Sequence, residues 1–162
     1  YHPNPEPWFL ENEGQEPEYL VHLRPTTPLR LPEIISSAII KLKQSQNATS
    51  LRSAHELPEP PQKMMGVNDG YFSGLFPHYT DLEYYNLPRQ AFPTAYQPNG
   101  YVDVLNTTFV RSSDGLYGPN IRALITERSF ELDLAEDLIW LKYVIEQQEH
   151  VLLNYLTKHF QI

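Results

Sequence analysis

The sequence predicts an α/β protein, with a parallel or mixed sheet and helices on both faces. Three observations carry that prediction. Residues 18–55 run strand, loop, helix, strand, the order of a βαβ unit. Fourteen of the 15 prolines precede Asn99, so turns punctuate the first hundred residues. Beyond Asn99 only Pro119 interrupts the chain, which leaves the tail free to form further strands and a long helix.

The elements follow in order. Pro7 to Glu13, stopped by Gly14, has the pattern of a short helix with a glycine cap. Glu18-Tyr19-Leu20-Val21-His22-Leu23 is a short β-rich run, read as a buried strand. Pro25 and Pro28 then force a loop from Arg24 to Arg30. Pro32 suits a first helical position, and Ile34, Ile35, Ala38, Ile39 and Leu42 share one face of a helix reaching about Lys43. Thr49 to His55 reads as a second strand. Leu57-Pro58-Glu59-Pro60-Pro61 is incompatible with a central strand, and Asn68-Asp69-Gly70 is a hairpin turn between two short runs. Residues 76–98 are rich in tyrosine and lack periodicity, so 57–98 reads as an excursion from the core. Strands resume at Tyr101 to Leu105 and at Ile121 to Ile125. A long amphipathic helix is expected from Leu134 to about Phe160, through Leu138, Leu141, Ile145, Leu152 and Leu156.

A chain of 162 residues is one domain of ordinary size or part of a larger one, and no internal repeat or linker divides it. Lys and Arg number 12 against 20 Asp and Glu, a net charge of −8, which argues against a general binder of nucleic acid or membrane surfaces. The absence of cysteine excludes disulfides, a thiolate nucleophile and a Cys-ligated metal. No apolar run approaches the ~20 residues of a membrane span, and the Pro- and Glu-rich first residues are unlike a signal peptide. A cytoplasmic protein is expected.

Several groups could carry chemistry. Arg24 and Arg30 flank a loop at the end of a strand, where open α/β sheets bind ligands, and with Thr26 and Thr27 they suit a carboxylate or phosphate. The competing reading is a rigid loop with solvated arginines. Arg89-Gln90 and Asn99-Gly100 are weak signals alone, an isolated surface arginine and a turn. Glu131 and Asp133 alternate in an extended segment and can face one cation. Asp133-Leu134-Ala135-Glu136 equally fits a helix capping box. The six histidines have no metal-ligand spacing, and His22 reads as a core or edge residue. Asn47-Ala48-Thr49 and Asn106-Thr107-Thr108 match the glycosylation pattern without a secretory context.

Taken together, three motifs resemble the acylneuraminate cytidylyltransferase family, the CMP-sialic acid synthetases and relatives acting on other 3-deoxy-ulosonic acids. Tyr19-Leu20-Val21-His22-Leu23-Arg24-Pro25-Thr26-Thr27-Pro28-Leu29-Arg30 resembles "LLQPTSPLR". Pro88-Arg89-Gln90-Ala91-Phe92-Pro93-Thr94-Ala95-Tyr96-Gln97-Pro98-Asn99-Gly100 resembles "PRQ-x-LP-x-x-(F/Y)-x-x-NG". Glu127-Arg128-Ser129-Phe130-Glu131-Leu132-Asp133-Leu134-Ala135-Glu136-Asp137-Leu138 resembles "S-x-DID-T-x-x-DL".

The resemblance implies a three-layer Rossmann-like nucleotidyltransferase. Its reaction joins the anomeric hydroxyl of a sugar acid to the α-phosphorus of CTP, giving a CMP-sugar and pyrophosphate with Mg²⁺. It implies that Arg24, Thr26, Thr27, Arg30, Lys63, Arg89, Gln90, Asn99, Gly100 and Asp103 face substrate. Glu131 and Asp133 would hold the metal, with Asp133 and Arg89 the catalytic pair. Residues 57–98 would be a dimerisation segment that helps complete the partner's site in a homodimer.

Arg24 stands where the family commonly has Gln, Asp103 where sialic-acid enzymes often have Tyr, Glu131 in place of the first Asp, and Leu134 in place of a capping Thr. The family's Gly/Ser/Lys/Arg loop for the CTP phosphates has no counterpart, so residues 1–162 resemble the C-terminal portion of one cytidylyltransferase domain. Two alternatives stand beside it: a non-catalytic, dimeric sugar-acid-binding remnant, and a nucleotidyltransferase for another sugar.

Overall fold

The computed structural model describes residues 14–148 and 150–160. The helix expected over Pro7 to Glu13 lies outside the described residues. In chain order the elements are β1 (Tyr19–His22), α1 (Pro32–Lys43), β2 (Ser50–Glu56), β3 (Met65–Asn68), β4 (Tyr71–Gly74), β5 (Tyr96–Asn106), α2 (Thr107–Ser112), β6 (Ile121–Ile125), α3 (Asp137–Gln148) and α4 (Val151–Phe160). The chain divides into two compact units, one formed by the chain up to Ala54 and from Pro98 onward, the other by His55–Gln97.

The first unit is α/β with a mixed sheet in the order β1-β5-β2-β6. β1 pairs with β5 antiparallel, and β2 pairs with β6 parallel. Bonds from Asn106 to Thr49 and from Val102 to the Ser53 hydroxyl show β5 retreating as β2 advances. β1, β2 and β6 therefore point one way, with β5 reversed between the first two.

The βαβ crossover predicted by the sequence is present, but its two strands do not pair. The reason lies in β5, where Asn99 to Leu105 are all buried. A buried run of that length needs neighbours on both sides, whereas the four-residue β1 is short enough for an edge.

α1 begins at Pro32, whose fixed φ and missing N–H suit the first turn. The Leu31 N–H donates to the Tyr101 hydroxyl at 2.6 Å, tying the helix start to β5. The buried side chains Ala38 and Leu42 meet Leu51, Val102 and Val104 from the sheet, with Ile34, Ile35 and Ile39 around them. This is the apolar stripe that the 3.6-residue period predicts. Asn106 caps α2 by accepting from the Phe109 N–H at 3.1 Å, so the first residue of one glycosylation-like triplet is a helix cap.

The C-terminal helix differs from expectation. It starts at Asp137 rather than Leu134, and His150 is non-helical between α3 and α4. The polar run Glu146-Gln147-Gln148-Glu149-His150 interrupts the apolar stripe there. No described helix is long and apolar enough to cross a membrane.

In the second unit Asp69 (φ +50°) and Gly70 (φ +82°) form the two-residue turn of the β3–β4 hairpin. Positive φ at both central positions is the type I′ geometry that Asp-Gly favours. Val67, Tyr71 and Phe72 on this hairpin are exposed. Tyr84 is buried, with its ring stacked on Tyr79 and its hydroxyl accepting from the Phe76 N–H at 2.8 Å. Gly74 lies where any Cβ would collide with the Tyr84 hydroxyl.

Back in the first unit, the loop before β6 is pinned at one point. The Tyr117 carbonyl accepts from the Thr49 and Ser50 hydroxyls, both at 2.7 Å. Gly118 follows at φ +72°, where a Cβ would come within 2.5 Å of Phe109 and 2.6 Å of the Thr49 hydroxyl. Gly118→Ala is therefore expected to lower stability by about 1–3 kcal/mol, read from the denaturant midpoint, because neither the backbone nor the space admits a side chain.

Candidate functional site

The loop after β1 and the segment after β6 both leave the C-terminal ends of strands that run in the same direction. Such ends are where open α/β sheets carry their ligands. The Leu132 N–H donates to the Thr26 carbonyl at 2.7 Å, so these two segments, a hundred residues apart in sequence, lie side by side.

Asn99, in the antiparallel β5, reaches the same edge of the sheet. It is 2% exposed, and its amide donates to the Thr126 hydroxyl at 2.7 Å and the Glu127 carbonyl at 3.3 Å. The Ser129 hydroxyl returns a bond to the Asn99 carbonyl at 2.6 Å. Asn99 is a staple between β5 and the segment that carries Glu131.

Gly100 is the meeting point. A Cβ built on it would stand 3.0 Å from Arg24 Cδ, 3.3 Å from Glu131 Oε1 and 3.3 Å from Thr27 Oγ1. Its φ of +63° gives a second reason for glycine here. Thr27 is fully buried, and its hydroxyl has no hydrogen-bond partner among the described residues. Three of the expected site residues thus converge on a fourth.

Arg30 is placed differently from the expected anion ligand. Its Nε donates to the Tyr101 carbonyl at 2.5 Å, and Nη2 donates to the Arg24 carbonyl at 2.6 Å and the Gly100 carbonyl at 3.1 Å. Burial pulls its pKa below the usual arginine value. Proline-rich loops offer few N–H donors of their own, so the guanidinium supplies the bonds that close this one onto β5.

Asp103, expected at the sugar, is 1% exposed and engaged by its own chain. Tyr117 donates to Oδ2 at 2.9 Å, Arg52 Nε lies 3.5 Å from Oδ1, and His22 Nδ1 lies 3.8 Å from Oδ2. The register sets this row, because His22 of β1 sits directly opposite Asp103. Arg52 also stacks over the Tyr117 ring at 4.4 Å. Burial raises the Tyr117 pKa, the hydrogen bond to Asp103 and its charge add to that, and Arg52 and Arg24 oppose it. The sequence reading passed over Arg52 and Tyr117. Arg52 looked like one more residue of a strand, and the only signal for Tyr117 was its place before a glycine in Gly115-Leu116-Tyr117-Gly118-Pro119.

Glu131 and Asp133 are both exposed, in a segment without regular secondary structure. Only half of a capping box forms, one residue further on than the sequence pattern places it. Asp137 Oδ2 accepts from the Leu134 N–H at 2.7 Å and the Asp133 N–H at 2.9 Å. Asp137 thus holds the helix start from within, and the Asp133 carboxylate is left out of the cap. No group of three or more metal-ligating side chains occurs among the described residues. The donors nonetheless fit Mg²⁺, which takes one or two protein carboxylates and fills its octahedron with water and phosphate. Glu131 Oε1 beside the glycine cradle and the unpartnered Thr27 hydroxyl are the observations that favour such a ligand.

In the second unit, Lys63 Nζ donates to the Leu87 carbonyl and Arg89 Nη1 to the Pro58 carbonyl, each at 3.0 Å. Arg89 opens a 3-10 turn over Arg89–Ala91, and Gln90 is exposed. No known family model matches the chain.

Asp137→Ala should cost about 0.5–2 kcal/mol of stability through loss of the helix start, whereas Asp133→Ala should cost little. Thermal melts of the two variants side by side check the assignment.

Proposed function

We propose that the chain is the sugar-acid-binding and metal-binding part of a cytidylyltransferase, which activates a sialic acid-like 3-deoxy-ulosonic acid with CTP. The reading rests on the motif resemblance and on one observation above all. Arg24, Thr27 and Glu131, drawn from two motifs a hundred residues apart, surround Gly100 of the third at one edge of the sheet. A three-layer Rossmann-like arrangement and a homodimer built through His55–Gln97 belong to the same proposal. The exposed Val67, Tyr71 and Phe72 of the hairpin supply the kind of apolar surface a dimer would cover.

In the proposed reaction the anomeric hydroxyl oxygen bonds to the α-phosphorus as the bond to pyrophosphate breaks. Little covalent chemistry falls to the protein, whose tasks are alignment and charge neutralisation. Arg24, whose Cδ borders Gly100, offers a guanidinium, and a donor-only group of that kind grips carboxylate or hydroxyl oxygens. Arg89 is proposed to bind the sugar carboxylate through its planar fork. Thr27 has a hydroxyl free to bond, and Asn99 and Arg30 hold the walls in register. Glu131 and Asp133 would hold Mg²⁺, which when bound supplies positive charge to the phosphates.

Two tests follow. Arg89→Lys should weaken binding of N-acetylneuraminate roughly tenfold by calorimetry without altering the melting temperature, since an ammonium cannot reproduce two parallel bonds. Unchanged affinity in Arg89→Ala would remove Arg89 from the site. In the full-length protein, Asp133→Asn should abolish most Mg²⁺-dependent pyrophosphate release with no loss of thermal stability, while Glu131→Asp should remain active. An Asp133→Asn variant with full metal-dependent turnover would contradict the metal assignment.

A further inference from the structure

β6 is an edge strand without the usual protection of one. Among the described residues it pairs with β2 alone, and its other side meets no strand. Ile121-Arg122-Ala123-Leu124-Ile125 holds no proline and no lysine, two of the residues that commonly blunt an exposed edge. β1, at the opposite edge, is one residue shorter and lies between Pro17 and Pro25.

The ladder with β2 fixes which backbone groups of β6 are left over. The Thr126 N–H donates to the Ala54 carbonyl, and the Asn120 carbonyl accepts from the Thr49 N–H, both at 2.9 Å. Backbone groups alternate sides along a strand, so the even-numbered residues turn toward β2. Ile121, Ala123 and Ile125 therefore turn their N–H and C=O groups outward. Their side chains share one face of the sheet, because Leu124, between them, packs on the core cluster on the other face. Ile121 and Ile125 are 47% and 48% exposed, and Ala123 is exposed as well.

This pattern reads the same in both directions about Ala123. Two copies of β6 set antiparallel on a two-fold axis at Ala123 put Ile121 of each opposite Ile125 of the other. The residues with outward backbone groups then face one another, so each such pair can exchange both of its hydrogen bonds. The isoleucines of both copies gather on one face of the joined sheet. A slip of one residue sets outward groups against inward ones and loses the bonds. A slip of two shortens the overlap, and in one direction it sets Arg122 against its own copy. Charge favours the same place. The chain carries a net charge of −8, yet no acidic residue occurs from Gly115 to Thr126, so two copies can approach here without opposing carboxylates.

We propose that β6 is a docking edge for a second copy of this chain, the two strands pairing antiparallel about Ala123 into one continuous sheet. A two-fold contact of this kind uses the same patch on both copies and closes on itself. Five residues span about 17 Å, which is small beside the ~800 Å² per partner of a standard interface, so the association is reversible and depends on concentration. The inference goes beyond the proposed function and does not rest on it, because it uses neither the Gly100 site nor His55–Gln97.

The test is made in a Phe72→Asp background, which charges the hairpin surface assigned to the other homodimer. Sedimentation velocity of that chain from about 5 to 500 μM should show a shift from monomer to dimer. Ala123→Pro deletes an outward N–H and spares the bonds to β2, as edge positions allow, and Ile125→Lys puts an ammonium among the facing isoleucines. Each should weaken association at least tenfold with little change in melting temperature. If Ala123→Pro melts early, Ile125→Lys decides alone. Amide exchange by NMR reads the register. The Arg122 and Leu124 amides should be protected at every concentration, and those of Ile121, Ala123 and Ile125 only as the dimer forms. A Phe72→Asp chain that stays monomeric at the highest concentration overturns the proposal, even if the unsubstituted chain dimerises. So does a dimer in which Ile121, Ala123 and Ile125 exchange as in the monomer, or association unchanged in Ile125→Lys. Dimerisation kept in Phe72→Asp, with these three amides protected, supports the β6 contact whatever becomes of the His55–Gln97 surface.

Discussion

β5 is the constraint on which the first unit depends. It runs antiparallel between β1 and β2, two strands that a βαβ connection would otherwise set side by side. Its buried run forms half of the core with Leu51, Ala38 and Leu42. The same strand carries Asn99, Gly100 and Asp103, so hydrophobic burial and site geometry are one problem. Because β5 is reversed, its early residues arrive at the edge where β1 and β6 end. Arg30 and Asn99 then fasten the flanking segments to it through backbone carbonyls.

Charge is distributed with similar economy. The chain is acidic overall, yet the sheet places Arg52 and His22 around one buried acid, and Arg52 stacks on the tyrosine bonded to that acid. Asp103 compensates the Arg52 guanidinium, and the Tyr117 hydroxyl ties the loop before β6 to the same acid. At the far side of Gly100, Glu131 contributes negative charge beside the Arg24 stem. Under the proposed function, this local mixture of signs is what would recognise a small anion together with a cation on a chain of net negative charge.

Local signals in the sequence were strong where one residue dictates one conformation. Pro32 fixed the start of α1, Asp69-Gly70 fixed the hairpin turn, and the period of Ile34 to Leu42 fixed the helix face. That Arg24, Thr27 and Glu131 meet at Gly100 is not legible in their spacing, since the segments that carry them lie about a hundred residues apart in the chain. A guanidinium among prolines reads the same in the sequence whether it faces a ligand or, as Arg30 does, three backbone carbonyls. The capping box was misjudged by one residue, since Asp133 and Asp137 both suit a helix start and only the turn geometry chooses between them.

What the sequence determined by itself was the start and apolar face of α1, the hairpin turn and the runs that form β1, β2, β5 and β6, because propensity, period and turn chemistry act over a few residues. What the tertiary structure alone decided was strand order, and with it every relation across the sheet. Pairing β5 between β1 and β2 sets His22 opposite Asp103, brings Arg52 beside it, and seats Tyr117 above them. Those contacts join residues far apart in the chain, and they form only once buried apolar area has chosen which strands are neighbours.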